Sequence, residues 1–312
     1  MTLTQLEYIV ALDTHRHFVA ASERCFVTQP TLSMQIQKLE EELGVKIFDR
    51  TKQPVIPTEI GEGIIAQARL VLREAQKVKQ MIVDQKDALA GELRIGIIPT
   101  LAPYLLPPLY QYMRQKYPQL NLVIKETITE EVIQELKSNR LDCGIIVTPL
   151  KDSAIKENVL FYEELFVYVS KKNSLVDKKY VLANEIDPNK LWLLEEGHCF
   201  RSQILNLCEL RKSSDFHFQY ETGSIETLKR MVEKSDGFTI LPELAVMEFS
   251  AAQRKLVKKL KEPNPAREVS LVTHRDHVKT KLIKTLRDEV LGIVPKSMQK
   301  LNNKKILEIN LP

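Results

Sequence analysis

The chain has 312 residues, with 45 Lys and Arg against 41 Asp and Glu, a formal charge of +4, 28% charged residues and 44% hydrophobic ones. This describes an ordered globular protein with more than one core and excludes disordered and fibrous classes. No run of eighteen apolar residues occurs, and the opening MTLTQLEYIV lacks a basic segment followed by a long apolar one, so neither a membrane nor a secreted class is expected.

The mild positive charge lies mainly past residue 250, in AAQRKLVKKLK and PKSMQKLNNKK, while the first ninety residues are close to neutral. Any affinity of the N-terminal part for DNA must therefore come from a few placed groups rather than a cationic block.

The first segment predicts three short helices. Leu6, Ile9 and Val10 mark one apolar face, and FVAASERCF predicts a second helix whose Ala20 and Ala21 permit close crossing. Thr28 is a candidate N-cap with Pro30 in the first turn behind it. Leu32, Ile36, Leu39 and Leu43 then step along one side, leaving Gln29, Thr31, Ser33, Gln35 and Lys38 toward solvent, and Gly44 closes the helix. Two short helices joined by a tight turn, with a polar first turn on the second, fit a helix-turn-helix; a plain helical bundle fits the periodicity equally well. VKIFDRTKQPVIPTEIG adds two extended pieces around TKQP, a β-wing, with Arg50 beside it as a backbone contact.

From Thr58 to about Asp87 the apolar residues Ile64, Ala68, Val71, Ala75, Val78 and Ile82 alternate spacings of four and three, an a/d seam that predicts a dimerising helix; a helix lying on its own domain is the alternative. Beyond ALAGE, candidate strands at 93–98, 122–126, 143–147, 165–170, 191–195, 216–220, 238–241 and 269–273 alternate with helical segments such as EEVIQELKSN and SIETLKRMVEK. That pattern predicts an α/β domain of two lobes with mainly parallel sheets. Cys25, Cys143, Cys199 and Cys208 form neither a disulfide framework nor a CxxC zinc pair, so no cofactor and no metal are expected.

The run QLEYIVALDTHRHFVAASERCFVTQPTLSMQIQKLEEELGVKIFDR with PTEIGEGI closely resembles the winged helix-turn-helix of the LysR-type transcriptional regulators. GELRIGIIPTLAPYLLP, LDCGIIV, EEGHCFRSQ, GSIETLKRMV and FTILPELAV resemble the peroxide-sensing members of that family. The resemblance implies a winged helix-turn-helix over 1–57, a linker dimerisation helix over 58–90 and a two-lobed regulatory domain of the type 2 periplasmic-binding-protein fold over 91–295. Lobe I would take about 91–162 and 268–295, lobe II about 163–267, and 296–312 would be a Lys-rich tail. It further implies a cytoplasmic activator of oxidative-stress genes that binds double-stranded DNA promoter sites as a homodimer assembling to a homotetramer. RNA polymerase and a thiol reductant of the glutaredoxin or thioredoxin type would be partners, and hydrogen peroxide the signal.

By the same resemblance Cys199 is the peroxide-reacting cysteine and Cys208 its resolving partner. Cys199 follows a strand-like run and precedes SQILNLCEL, a predicted helix, so amide N–H groups with His198 and Arg201 are expected to lower its pKa. Nine residues along an intact helix span about 13.5 Å, whereas a disulfide allows roughly 4.4 to 6.8 Å between Cα atoms. Joining the pair would therefore reorganise the segment between them.

Thr100 and Thr129 match threonines held near the peroxide, and Arg267 an arginine that favours the thiolate; a helix-capping role for Thr100 and structural roles for Thr129 and Arg267 stand beside these. Ser202 stands where related sequences carry Asp, and Phe200 where they carry a smaller aliphatic residue. Cys25 and Cys143 read as small core residues. For DNA, Gln29, Thr31 and Ser33 would enter the major groove while Arg50 reaches the backbone. Two other readings remain at this point: a regulator of the same build that senses a metabolite in the interlobe cleft, with the cysteines incidental, and an enzyme, a thiol peroxidase built on Cys199. The N-terminal domain speaks against the enzyme.

Overall fold

The structure, a computed structural model, describes residues 1–84, 89–194, 199–208, 223–261 and 263–308. The expected strand at 216–220 and His198 lie outside the described residues. The chain divides into two compact units, Met1–Asp87 and Ala88–Pro312.

In the first unit α1 (Leu3–His15) starts with a reciprocal cap: Thr2 Oγ1 accepts from the Gln5 amide at 3.2 Å and Gln5 Oε1 accepts from the Thr2 amide at 2.9 Å. After α2 (Phe18–Arg24), α3 (Gln29–Leu43) begins where Thr28 Oγ1 takes the Thr31 amide and ends at Gly44, whose φ of 71° suits a residue without Cβ. Leu32, Ile36 and Leu39 are buried as the spacing predicts, but Leu43 is exposed. The helix stops there, and the inner side of its last turn is filled instead by Glu40, which accepts from the Ile47 and Phe48 amides at 2.9 and 3.2 Å. The wing is a minimal antiparallel pair, β1 (Phe48–Asp49) and β2 (Ile56–Pro57).

The next helix, α4 (Glu59–Asp84), is 26 residues and about 39 Å long. A Cβ on Gly61 would lie 2.0 Å from the Ile47 carbonyl oxygen, so only glycine lets the helix start against that backbone. The predicted seam divides. Ala68 is buried with Ile65 in this unit's own core, and Ile64 packs against it, whereas Val71 and Val78 are exposed, Val78 by 64%. The inner half thus lies on its own unit, where Arg69 ties it to α1 through Asp13 at 2.6 Å, while the side chain of Ile82 lies outside the described residues.

The second unit opens with β3 (Gly91–Ile97), α5 (Ala102–Lys116), β4 (Leu120–Glu126), α6 (Thr129–Lys137) and β5 (Cys143–Thr148). Here β3 pairs parallel with both β4 and β5. Then β6 (Ile155–Val169) runs for fifteen residues. It is followed by β7 (Tyr180–Val181), β8 (Leu191–Trp192), α7 (Cys199–Leu207), α8 (Ile225–Lys234), β9 (Phe238–Pro242), α9 (Glu243–Met247), α10 (Ala251–Arg254) and β10 (Val257–Leu260). The chain returns along β11 (Asn264–His274) to α11 (Thr280–Ile293) and β12 (Lys304–Ile306).

The sheets are mixed rather than mainly parallel. β11 pairs antiparallel with β5 and β6, and β6 pairs antiparallel with β9 and β10. β11 returns late in the chain and inserts between β5 and β6, running against both, so those two strands point the same way on either side of it. β6 serves two sheets: Ile155–Glu164 faces β11, and Leu165–Val169 faces β9. With β11 it carries the chain between the lobes. In the run expected as a strand at 191–195 the described residues form only Leu191–Trp192 as strand, and Glu195 lies outside them.

Residues 296–308 fold onto the domain. Met298 is fully buried, and β12 adds parallel to the start of β11.

Candidate functional site

On the first unit, Gln29 is exposed and Thr31 and Ser33 are half-buried at the start of α3. Thr31 Oγ1 lies 2.8 Å from Thr28 Oγ1. Arg50 is tied back to α3: Nη2 donates to Glu40 Oε2 at 3.3 Å, Nη1 to Ser33 Oγ at 3.4 Å, and the guanidinium lies 5.5 Å from the centre of the Phe18 ring. Arg50 therefore fixes the wing to the helix while keeping part of its surface in water. Phe26, in the turn between α2 and α3, is 90% exposed with a φ of 56°.

On the second unit, Cys199 is the first residue of α7 and is 6% exposed. Thr129, the first residue of α6, donates its hydroxyl to Cys199 Sγ at 3.6 Å. Thr100 lies in the turn between β3 and α5, where it does not cap the helix: the N-cap position is Leu101, without a side-chain cap bond. Its hydroxyl instead accepts from Arg267 Nη1 at 2.7 Å, and its carbonyl from Nη2 at 3.2 Å. Arg267 is fully buried on β11, stands 5.1 Å from the centre of the Phe200 ring, and donates Nε to Glu163 Oε2 at 2.7 Å.

Thr100, Thr129, Cys199 and Arg267 are thus brought together from three helix or turn starts and one crossing strand. Arg201 is not aimed at the sulfur; its Nη1 donates to the Leu194 carbonyl at 2.8 Å.

Burial pushes the Cys199 thiol above its ordinary pKa, opposed by the Thr129 hydroxyl, the Arg267 charge and the amides of Phe200 and Cys199 itself. The expected lowering does not appear in this packing, because the sulfur is desolvated and the guanidinium is committed to Thr100 and Glu163. Cys208 continues the helix, its amide bonding to the Ile204 carbonyl at 3.0 Å, and burial alone pushes its thiol up to about 12. All four cysteines are free thiols, with Cys143 buried in β5 and Cys25 half-buried at the end of α2.

Glu163 went unnoticed in the sequence. It is fully buried, and besides Arg267 it accepts from the Leu244 amide at 2.8 Å at the start of α9. Its signal was its place in the alternation Phe161, Glu163, Leu165, Val167, a carboxylate on the inward face of a strand. A charge in that position demands a buried partner. Among the described residues no cluster of His, Cys, Asp and Glu could hold a metal, and no helix is long and apolar enough to cross a membrane.

Residues 86–293 match the LysR substrate binding domain, and residues 3–62 match the bacterial regulatory helix-turn-helix protein, lysR family. A hydrogen peroxide-inducible genes activator of Dickeya chrysanthemi is 38% identical over 273 residues, 87% of this chain and 89% of that protein. The DNA-binding transcriptional dual regulator OxyR of Escherichia coli (strain K12) has the same identity and coverage. Among solved structures, full-length OxyR C199D from Pseudomonas aeruginosa superposes with a TM-score of 0.80 at 35% identity, covering 93% of this chain and 94% of that one. By these matches the chain belongs to the LysR family, whose members are bacterial transcriptional regulators rather than enzymes.

Proposed function

We propose that this regulator senses hydrogen peroxide through Cys199 and reports it by a reversible Cys199–Cys208 disulfide that alters promoter binding. The observation that carries the reading is the setting of Cys199: a buried sulfur at a helix start with the Thr129 hydroxyl on it and a buried guanidinium near it. Relatives named for peroxide induction support it.

The Cys199 thiolate attacks one peroxide oxygen, an S–O bond forms as the O–O bond breaks, and the departing hydroxide leaves as water after taking a proton. The sulfur is oxidised by two electrons and the peroxide reduced. The Cys208 thiolate then attacks the sulfenic sulfur, an S–S bond forms, and the hydroxyl leaves as a second water. Thr129 holds the sulfur in place, Arg267 favours its anionic form, and Thr100 fixes the guanidinium. His198, which precedes the reactive cysteine, is assigned to the same centre, and Arg201 to the entry of α7. Because α7 runs unbroken from Cys199 to Leu207 and the Cys208 amide still bonds back to Ile204, bond closure requires that helix to give way.

On the first unit Gln29, Thr31 and Ser33 read bases, and Arg50 contacts the backbone beside the wing. The face of α4 that carries the exposed Val71 and Val78 pairs two copies, and two such dimers make a tetramer on promoter DNA in the cytoplasm, where RNA polymerase is recruited and a glutaredoxin or thioredoxin restores the thiols. The regulatory domain's match to a substrate binding domain favours a second reading, a metabolite bound between the lobes. The deciding experiment treats the purified chain with one equivalent of hydrogen peroxide, maps its disulfides by mass spectrometry and footprints both forms on promoter DNA. A Cys199–Cys208 bond with a changed footprint is expected, and its absence favours the metabolite.

A further inference from the structure

We infer that the C-terminal strand is a latch on the switch helix, with Gln203 as its catch; the redox part of this inference rests on the disulfide reading above. Gln203 lies on α7, four residues after Cys199 and five before Cys208, and is fully buried. Its Nε2 donates to the Leu307 carbonyl at 3.1 Å, directly beyond β12. Leu307 in turn donates its amide to the Ala266 carbonyl at 2.9 Å, so the strand ends against the residue before Arg267.

The rest of the terminal segment is anchored to the crossing strand. Met298 is fully buried, its carbonyl accepts from the Tyr162 amide at 2.7 Å, and Lys304 Nζ donates to the Tyr162 carbonyl at 2.9 Å. One end of the chain therefore grips β6 and β11, and the Leu307 carbonyl grips the helix that leads from Cys199 to Cys208.

The catch is strained. Gln203 Oε1 is buried without a hydrogen-bond partner among the described residues. The amide cannot be turned to relieve it, because that would set oxygen against the Leu307 carbonyl. Such an orphaned acceptor is costly in the core and is satisfied as soon as the helix opens. The latch thus holds α7 in the thiol packing while Gln203 itself favours release. Bond closure between Cys199 and Cys208, which expels the sulfenic hydroxyl as water, must break the Gln203 to Leu307 bond and free the strand. Gln203 and residues 304–307 act by positioning the helix and do not touch peroxide.

The test uses the full chain, a chain ending at Asn303, and Gln203→Met. In the reduced proteins, alkylation of buried Cys208 by iodoacetamide is expected to be about fivefold faster in both variants, with buried Cys143 unchanged. An unchanged Cys208 rate, or Cys143 rising together with Cys208 in both variants, overturns the latch. With one equivalent of hydrogen peroxide, disulfide closure is expected to be about fivefold faster in the shortened chain, with trapping of the sulfenic acid within about twofold of the full chain. Equal closure rates overturn the latch, whereas failure of any chain to form the bond overturns the disulfide reading and leaves the iodoacetamide result to judge the contact.

Discussion

Cys143 and Cys199 are both buried thiols in the second unit, yet their surroundings differ in kind. Cys143 stands in a strand whose six residues are all buried, and burial, reinforced by the charge of Asp142, pushes its pKa up. Cys199 is buried too, but a hydroxyl, a guanidinium and two backbone amides oppose the rise. Depth does not distinguish an inert thiol from a reactive one; the donors aimed at the sulfur do.

The largest expected effect breaks the comparison outright. Cys199→Ser should abolish the response of promoter binding to peroxide while leaving reduced-state affinity intact, and Cys143→Ser should leave the response unchanged; footprinting with and without peroxide checks both. A pH series comes next. Because the Cys199 pKa lies above the ordinary thiol value, the protonated form persists through neutrality, and the oxidation rate should rise about tenfold per pH unit from 6 to 8. A flat profile, measured by stopped-flow under excess peroxide, would mean that the thiolate already predominates and that α7 packs differently in solution.

Thr129→Val removes the hydroxyl from the sulfur and should slow oxidation about tenfold, with the pH profile displaced to the alkaline side. The smallest effect belongs to the other unit. Arg50→Ala should weaken binding to all DNA sequences alike and reduce the salt slope by about 0.9 for one phosphate. Loss of its contacts to Glu40 and Ser33 should also cost about 1 kcal/mol of stability, read by urea unfolding.

The parts of the molecule that follow local rules were readable before folding. Thr28 and Gly44 bound α3 because capping is decided within a few residues, and the apolar runs of β3, β5 and β9 are buried on both faces and stand out as such. The first ten residues of β6 were not readable. IKENVLFYEE mixes Lys156, Glu157 and Asn158 with apolar residues, and the strand exists because β11 pairs with it from over a hundred residues away. β12 was hidden for a similar reason: KKI takes strand form through the edge of β11, and its two lysines resemble a solvated tail.

At the site, the cysteine, the threonines and Arg267 were named by resemblance, and their convergence needed the fold. Arg201 was misjudged because sequence proximity to Cys199 says nothing of direction, and along a helix the second residue on points away from the first. Gln203 left no trace in the sequence, since an amide on a helix is ordinarily solvated.

Arg267 carries one implication for the fate of the opened helix. The Phe200 ring stands by the guanidinium at 5.1 Å, while three of its nitrogens donate to Glu163 and Thr100. Withdrawal of α7 would strip away this aromatic roof and leave the Arg267–Glu163 ion pair at the floor of a newly made hollow. Water would have to enter with it, so the rearranged form should be more hydrated around Arg267 and Glu163 than the closed one.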